Sequence, residues 1–452
     1  MSSLETIFYP HEVVLIGSSR TKEEFGMTSP QLFNNVVHNM KRFFLGKTHV
    51  IDTDRTSKSK NTEELLKYAE LAVIMLPPRE SLEFAEKCAK ANAKSFVIIT
   101  GGFSDVQRTR LLKIREECGV RILGPNTIMG VVNTANGLNL TFERDFMPHE
   151  GSIAFISQSG GVGACLLDLA SNHNVGVSKF AFVGDKIDID DADLLRYYGI
   201  DDSSKVICMY IEGIKDGKQF IKEARKVTRK KPVIALKGGT TRESAERAKS
   251  HTSSIAGSDE IFDAAFKKAG IMRARNTDDL INGAIALSKQ PPMLGDRVAV
   301  VSNVGGPAIL AADAVVRNKL VLSDFSKRTK RSVKRLYPSL DTTNPMDIIA
   351  DARADRFFQI LDLVLSDRNV DGVLVINMLK SCFFEPSDAE AILKVTRKHP
   401  RKPVVDVPAG GEDFRKVHAI LGKTCIPLYD LPEKAANALK FLREYAEILQ
   451  KK

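Results

Sequence analysis

Residues 152–168, SIAFISQSGGVGACLLD, and residues 297–313, RVAVVSNVGGPAILAAD, lie over one another without a gap. Ser157 falls on Ser302, Gly160 and Gly161 fall on Gly305 and Gly306, and Asp168 falls on Asp313. Each stretch is a short apolar run, a turn of small residues and a helical pattern, so each requires a strand that feeds a helix through a glycine turn. The likeness continues downstream. KPVIALKGG from Lys231 is similar to KPVVDVPAGG from Lys402, and MYIEG sits where LVINM sits, so that Asn377 stands in the place of Glu212. Two copies of one α/β unit are expected.

The same alternation runs through the rest of the chain, with VVLIG, LAVIML and SFVIIT preceding the first copy and DGVLVI and PVVDV belonging to the second. Strand, helix, strand in this order predicts parallel α/β layers. Three blocks follow, 1–147, 148–290 and 291–452, with the proline-bearing KQPPMLGDR before the third and a junction near ERDFMPHEG before the second.

Several classes of protein are disfavoured. No uncharged apolar run approaches the ~20 residues of a membrane span, and MSSLETIFYPHE lacks the basic-then-apolar layout of a signal peptide, so a cytoplasmic protein away from membranes is expected. The six cysteines are scattered without a C-x-x-C pair, which predicts buried, reduced thiols and no metal site. A net charge of +10 suits nucleic acid, an anionic small molecule or an acidic partner alike. Its basic runs, such as RKVTRKK and SKRTKRSVKR, interrupt helical patterns without interleaved aromatics, so no nucleic-acid partner is expected.

Several strand ends carry small or turn-forming residues. Gly17, Ser18 and Ser19 follow the first strand, Pro77 lies in LPPRES, Gly102 in ITGGFSD, and Gly124, Pro125 and Asn126 in ILGPNT. Open α/β sheets bind ligands at the carboxyl ends of their strands, so these loops together suit a nucleotide-shaped ligand; each taken singly is also an ordinary turn. In SQSGGVG and SNVGGPA the free amides and positive helix end offer an anion site, each terminus contributing ~0.3–1 kcal/mol when exposed. Close helix-to-strand packing would equally explain one such glycine pair. Finding it twice points to two helix starts gripping one phosphate.

Only the first copy carries KSHTSSIAGSDE, residues 249–260. His251 in that stretch is a phosphoryl acceptor if neutral at one ring nitrogen and held at the other, and Glu212, at a strand end of the same copy, is a suitable holder. Composition alone leaves the histidine equally open to an inert role in a polar turn.

The stretch KGGTTRESAERAKSHTSSIAGSDEIFDAAFKKAGI resembles the phosphohistidine segment of the NDP-forming acyl-CoA synthetases, the superfamily of succinyl-CoA synthetase and archaeal ADP-forming acetyl-CoA synthetase. The resemblance covers nearly the whole chain: IGSSR, ITGGFSD and GPN are similar to the CoA-binding domain, SQSGGVG and YIEG to the ligase domain, and SNVGGPAILAADA with NPMDI to the third domain. It implies a Rossmann-like CoA-binding domain followed by two tandem flavodoxin-like ligase domains. It further implies a relay in which acyl-CoA and phosphate give an acyl phosphate, whose phosphoryl group passes to His251 and then to ADP. By the same resemblance Glu212 would contact the phosphohistidine, Ser157, Gly160, Gly161, Gly305 and Gly306 would bind phosphate, and Gly17 to Ser19 with Gly124 to Asn126 would line the CoA site.

No ATP-grasp domain is recognisable in this chain. The resemblance therefore implies a separate ATP-grasp β subunit that binds ADP or ATP with Mg2+, in a hetero-oligomer such as α2β2. Three departures from the family pattern stand out: SHTSS with Ser253 in place of a glycine, GPNTIMG with Thr127 where GPNC is usual, and HVIDTDR in place of a strand ending in PVNPK. Arg55 would replace the missing lysine at a CoA phosphate. The rival reading is a non-catalytic CoA or acyl-CoA sensor that kept the fold and lost turnover.

Overall fold

The computed structural model describes residues 4–20, 30–56, 61–241, 243–244, 258–379, 385–410, 417, 421–422 and 424–451. They form two compact units, Met1–Arg273 and Ala274–Lys452.

The first unit holds two sheets. One is built from β1 (Glu12–Gly17), β2 (Lys47–Asp52), β3 (Leu71–Met75), β4 (Ser95–Ile98) and β5 (Arg121–Leu123), in the order β2-β1-β3-β4-β5. All its pairings are parallel. Every residue of β3 and β4 is buried, as the unbroken apolar runs LAVIM and SFVI require of strands covered by helices on both faces.

The second sheet contains β6 (Val131–Asn133), β7 (Leu138–Asn139), β8 (Glu150–Ser157), β9 (Val177–Phe182), β10 (Val206–Ile211), β11 (Val233–Lys237) and β12 (Met272–Ala274), ordered β12-β11-β10-β8-β9-β6-β7. Its parallel core, β8 to β12, repeats the topology of the first sheet, with β8 in the place of β1. The short β6 and β7 extend it through antiparallel pairings.

The N-terminal turn fastens the two sheets to each other. Phe8 stacks on Tyr197 with ring centroids 5.1 Å apart, and its carbonyl accepts a bond from Asn133 Nδ2 at 2.8 Å. The fully buried Lys179 donates to Tyr9 Oη at 2.9 Å, Asp201 Oδ2 at 2.8 Å and Ser203 Oγ at 2.7 Å. A buried ammonium is tolerated only when its donors are satisfied in this way.

The second unit has one sheet, with β13 (Arg297–Ser302), β14 (Val321–Leu322), β15 (Met346–Asp347), β16 (Gly372–Met378) and β17 (Val404–Ala409). The order is β14-β13-β16-β17, and β15 also pairs with β13. β13 thus takes the role of β1 and β8, and all three sheets are doubly wound α/β layers. The helices Thr277–Lys289 and Pro432–Gln450 pack on one another beside this sheet, joined by Asn437 Nδ2 to Asp279 Oδ1 at 3.0 Å.

The two copies share the strand order about their first strand, with one correction to the sequence alignment. β10 pairs with β8 so that Tyr210 faces Ser157, and β16 pairs with β13 so that Ile376 faces Ser302. The residue equivalent to Glu212 is therefore Met378, and Asn377 corresponds to Ile211. A one-residue shift moves a strand side chain to the opposite face, and Asn377 is accordingly fully buried. The thiols also differ in part from expectation: Cys88 and Cys208 are buried, and burial pushes the Cys88 thiol up to about 12, but Cys118 and Cys165 are exposed.

Candidate active site

In a sheet of this topology the loops on either side of the first strand diverge, leaving a crevice at the carboxyl edge between the first and third strands. The candidate residues occupy these edges. Along the first sheet they run in spatial order from Arg55 beyond β2, through Gly17 to Ser19 after β1, Pro77 after β3 and Gly102 after β4, to Gly124, Pro125 and Asn126 after β5. Four strand spacings of ~4.8 Å give an edge of about 19 Å, suited to a long ligand.

At the far end of that edge the turns meet. Gly124 has φ +100° and Asn126 φ +64°, so a left-handed turn brings Asn126 beside Gly101, where an added Cβ would lie 2.9 Å from Asn126 Oδ1. Gly102, φ +83°, has open space where a side chain would be. Asn126 Nδ2 donates to Asp185 Oδ1 at 3.1 Å, which Arg108 also holds through Oδ2 at 2.9 Å. Thr127 is fully buried and donates to the Phe182 carbonyl at 2.6 Å. This end of the first sheet is thereby seated against the second.

At the near end the turn after β1 is engaged by side chains. Gly17 is required by packing, since a Cβ there would lie 2.2 Å from the Phe33 ring. Ser18 Oγ donates to Asp54 Oδ2 at 2.5 Å, and Ser19 donates to Asp52 through its amide at 3.2 Å and its hydroxyl at 2.6 Å. Arg20 N donates to Asp54 at 2.7 Å. Two carboxylates from the end of β2 thus take up the turn's donors, and Arg55 Nε lies 3.3 Å from Asp52. The acidic residues of HVIDTDR are visible in the sequence; that they fold back onto the first turn is a tertiary fact.

The glycine turns settle a question of packing. No Cβ added at Gly161 or Gly306 would meet an atom within 4 Å, and at Gly305 the nearest is Asp347 Oδ2 at 3.5 Å. Neither close packing nor a positive φ requires glycine at these positions. By contrast, Gly163 in the same helix is a packing glycine, since an added Cβ would lie 2.6 Å from the Phe180 ring. Gly161 and Gly306 leave open space over the first turns of helices Gly160–Asn172 and Gly305–Arg317, where the amides have no intrahelical acceptor. A Cβ added at Gly160 would lie 3.1 Å from Ile128, so the first of these turns adjoins the Asn126 end of the first-sheet edge.

Ser157 and Ser302 do the same local work. Each is fully buried, donates to a carbonyl two residues on at 2.7 Å, and accepts that residue's amide at 3.2 and 3.1 Å respectively. Their hydroxyls shape the turns from beneath.

Glu212 follows β10 and lies half-buried next to the Ser157 turn. Its Oε2 is shielded from solvent and has no hydrogen-bond partner among the described residues. Burial, together with the neighbouring Glu212 charge, pushes the Tyr210 phenol up to about 12. Lys237 is also buried nearby, its ammonium over the Phe262 ring at 4.7 Å and its pKa lowered by burial against the opposing pull of Asp259 and Glu212. His251 and Ser253 lie outside the described residues. Sequence reading missed Gln158, whose Oε1 accepts the amides of Glu212 at 2.8 Å and Gly213 at 3.0 Å. Its counterpart Asn303 accepts from Met378 N at 2.8 Å, a shared device that the repeat alignment could have revealed.

The model for the succinyl-CoA ligase like flavodoxin domain matches residues 150–287. The chain is 34% identical to the α subunit of acetate–CoA ligase [ADP-forming] II of Pyrococcus furiosus, over 98% of both chains. It is 37% identical to an acetate–CoA ligase [ADP-forming] of Methanocaldococcus jannaschii, over 98% of this chain and 63% of that longer protein. Among solved structures it is similar to the dinucleotide forming acetyl-coenzyme A synthetase 1 of Ca. Korarchaeum cryptofilum in complex with phosphate and ADP. That match has a TM-score of 0.86 and 30% identity and covers 100% of this chain and 98% of that one.

Proposed function

Since the chain belongs to the family of ADP-forming acyl-CoA synthetases, which includes the acetate–CoA ligases, we propose that it is the α subunit of such an enzyme. It catalyses acyl-CoA + ADP + phosphate ⇌ carboxylic acid + CoA + ATP. Phosphate attacks the thioester and releases CoA; the acyl phosphate passes its phosphoryl group to a ring nitrogen of His251, freeing the carboxylate; ADP then takes the phosphoryl group. The three functional blocks are 1–147, 148–290 and 291–452.

The observation that carries this reading is the continuity of the edge running from Arg55 to Asn126 with the helix start that is open at Gly161. CoA is long enough to lie along it, with its nucleotide towards β1 and β2 and its thiol at Asn126. A phosphate on the adjoining helix start would then stand beside the thioester. Glu212, with one shielded and unpartnered oxygen, orients His251 and stabilises its phosphorylated form. Gly305 and Gly306 form the second phosphate-binding helix start.

ADP or ATP and Mg2+ belong to a separate ATP-grasp β subunit, giving a hetero-oligomer such as α2β2 in the cytoplasm. Among the described residues no helix is long and apolar enough to cross a membrane. The test is reconstitution: this chain with an ATP-grasp subunit, acetyl-CoA, phosphate and ADP is expected to form ATP, and neither chain alone is expected to do so. ATP formation by this chain alone would refute the division of labour.

Gly161→Ala gives a narrower check on the phosphate seat. With open space at that position the added methyl costs the fold nothing and stabilises it by about 0.5–1 kcal/mol, as a loss of glycine in a helix does. The same methyl stands where phosphate would sit, so the KM for phosphate is expected to rise about tenfold or more while the unfolding midpoint holds or rises. An unchanged KM would move the phosphate elsewhere.

A further inference from the structure

We propose that Lys186, acting through Asp191 and Gln158, is a positioning residue that holds the Glu212 carboxylate in place. This rests on the reading of Glu212 as the carboxylate that serves the phosphohistidine.

Glu212 and Gly213 lie just past the end of β10, where the strand ladder no longer fixes the backbone. Two side chains from other segments bond that peptide instead, and a third holds those two together. Gln158, in the turn after β8, accepts both amides and donates through Nε2 to the Gly213 carbonyl at 2.9 Å. Lys186, in the loop after β9, donates to the same carbonyl at 2.9 Å. Asp191, at the start of helix Asp191–Ile200, accepts from Lys186 at 3.0 Å through one oxygen and from Gln158 at 2.8 Å through the other. All three side chains are buried.

Burying a lysine and an aspartate costs more in lost hydration than the pair usually returns, and apolar residues would serve stability as well. The second copy shows the fold without them. There Asn303 alone bonds the equivalent amide, of Met378, and among the described residues no charged side chain donates to the Met378–Leu379 segment. That copy also lacks the carboxylate. The ion pair therefore accompanies the glutamate rather than the α/β turn. Its loop reaches further still: Asp185, next to Lys186, holds Asn126 of the proposed CoA edge, and Asp188 receives Arg115 at 2.8 Å and Arg121 at 2.8 Å. One short loop thus sets Glu212 relative to the thiol end of the CoA edge. A carboxylate displaced by about 1 Å from a reacting group can cost 10²-fold in rate, whereas CoA binding would not register it.

The experiment is single-turnover phosphorylation of the chain, in complex with its ATP-grasp partner, from acetyl-CoA and 32P-phosphate. Lys186→Met combined with Asp191→Asn removes both charges and leaves neither orphaned. Gln158→Asn, the second copy's own residue, is the gentler variant should the first not fold. Each is expected to lower the rate about tenfold or more with the KM for acetyl-CoA unchanged. Placed on Glu212→Gln, each is expected to add little further loss, because both act through the same carboxylate.

Wild-type rates in a folded variant, or losses that multiply with that of Glu212→Gln, would overturn the positioning role while leaving the reading of Glu212 intact. A variant that slows the reaction while Glu212→Gln alone does not would overturn both.

Discussion

His251→Ala is expected to abolish ATP formation by the reconstituted complex, a fall of at least ~10⁴-fold, and with it the acid-labile phosphoprotein formed from acyl-CoA and phosphate. The size follows from the proposed relay: an imidazole that carries the phosphoryl group between two substrates has no neighbouring group to substitute for it. CoA binding measured by calorimetry should be unchanged, because the residues of the first-sheet edge belong to other elements of the chain. That pairing separates loss of the carrier from loss of the fold. ATP formation retained in His251→Ala would refute the relay. Tight CoA binding by the wild-type complex without phosphorylation would instead favour a CoA sensor.

Glu212→Gln should slow phosphorylation of the chain by about 10²- to 10³-fold, the range for removal of a charge that assists proton placement in the transition state. The amide is nearly isosteric, and the backbone hydrogen bonds from Glu212 and Gly213 to Gln158 do not involve the side chain, so the turn should keep its shape. What is lost, on the proposed reading, is the negative charge that serves the imidazole. The shielded Oε2 has no partner to lose among the described residues, which limits the cost in stability, and the unfolding midpoint should move little. Rapid-quench measurement of the phosphorylated chain reads the rate directly; a loss confined to CoA affinity would contradict the assignment.

Much of the fold is legible in the sequence for a simple reason. Strands buried on both faces are written as unbroken runs such as LAVIM and SFVI, and each glycine turn follows such a run immediately, so local composition and order dictate strand, turn and helix. The internal repeat adds that two of the three sheets share one plan. The loops that face the carboxyl edge follow from chain direction alone, because all principal strands are parallel and each candidate residue sits at a strand end.

Other features of the site are set by residues far apart in the chain, to which local pattern is blind. The alignment of MYIEG with LVINM looks natural by type, yet strand register assigns Met378, not Asn377, to the position of Glu212, because a one-residue step exchanges the two faces of a strand. Asp52 and Asp54 read as an unremarkable strand end until their carboxylates are found on the amides of Ser19 and Arg20, some thirty residues earlier. Lys186, Asp191 and Gln158 are separately ordinary polar residues; only burial against the Glu212 peptide makes them a unit. By itself the sequence determined the α/β layers, the duplicated unit, the edge on which the candidate residues lie and, through its motifs, the family. The tertiary structure decided which glycines are open to a ligand, which carboxylate keeps an unpartnered oxygen and what holds it there, since these depend on distances between segments that no local pattern encodes.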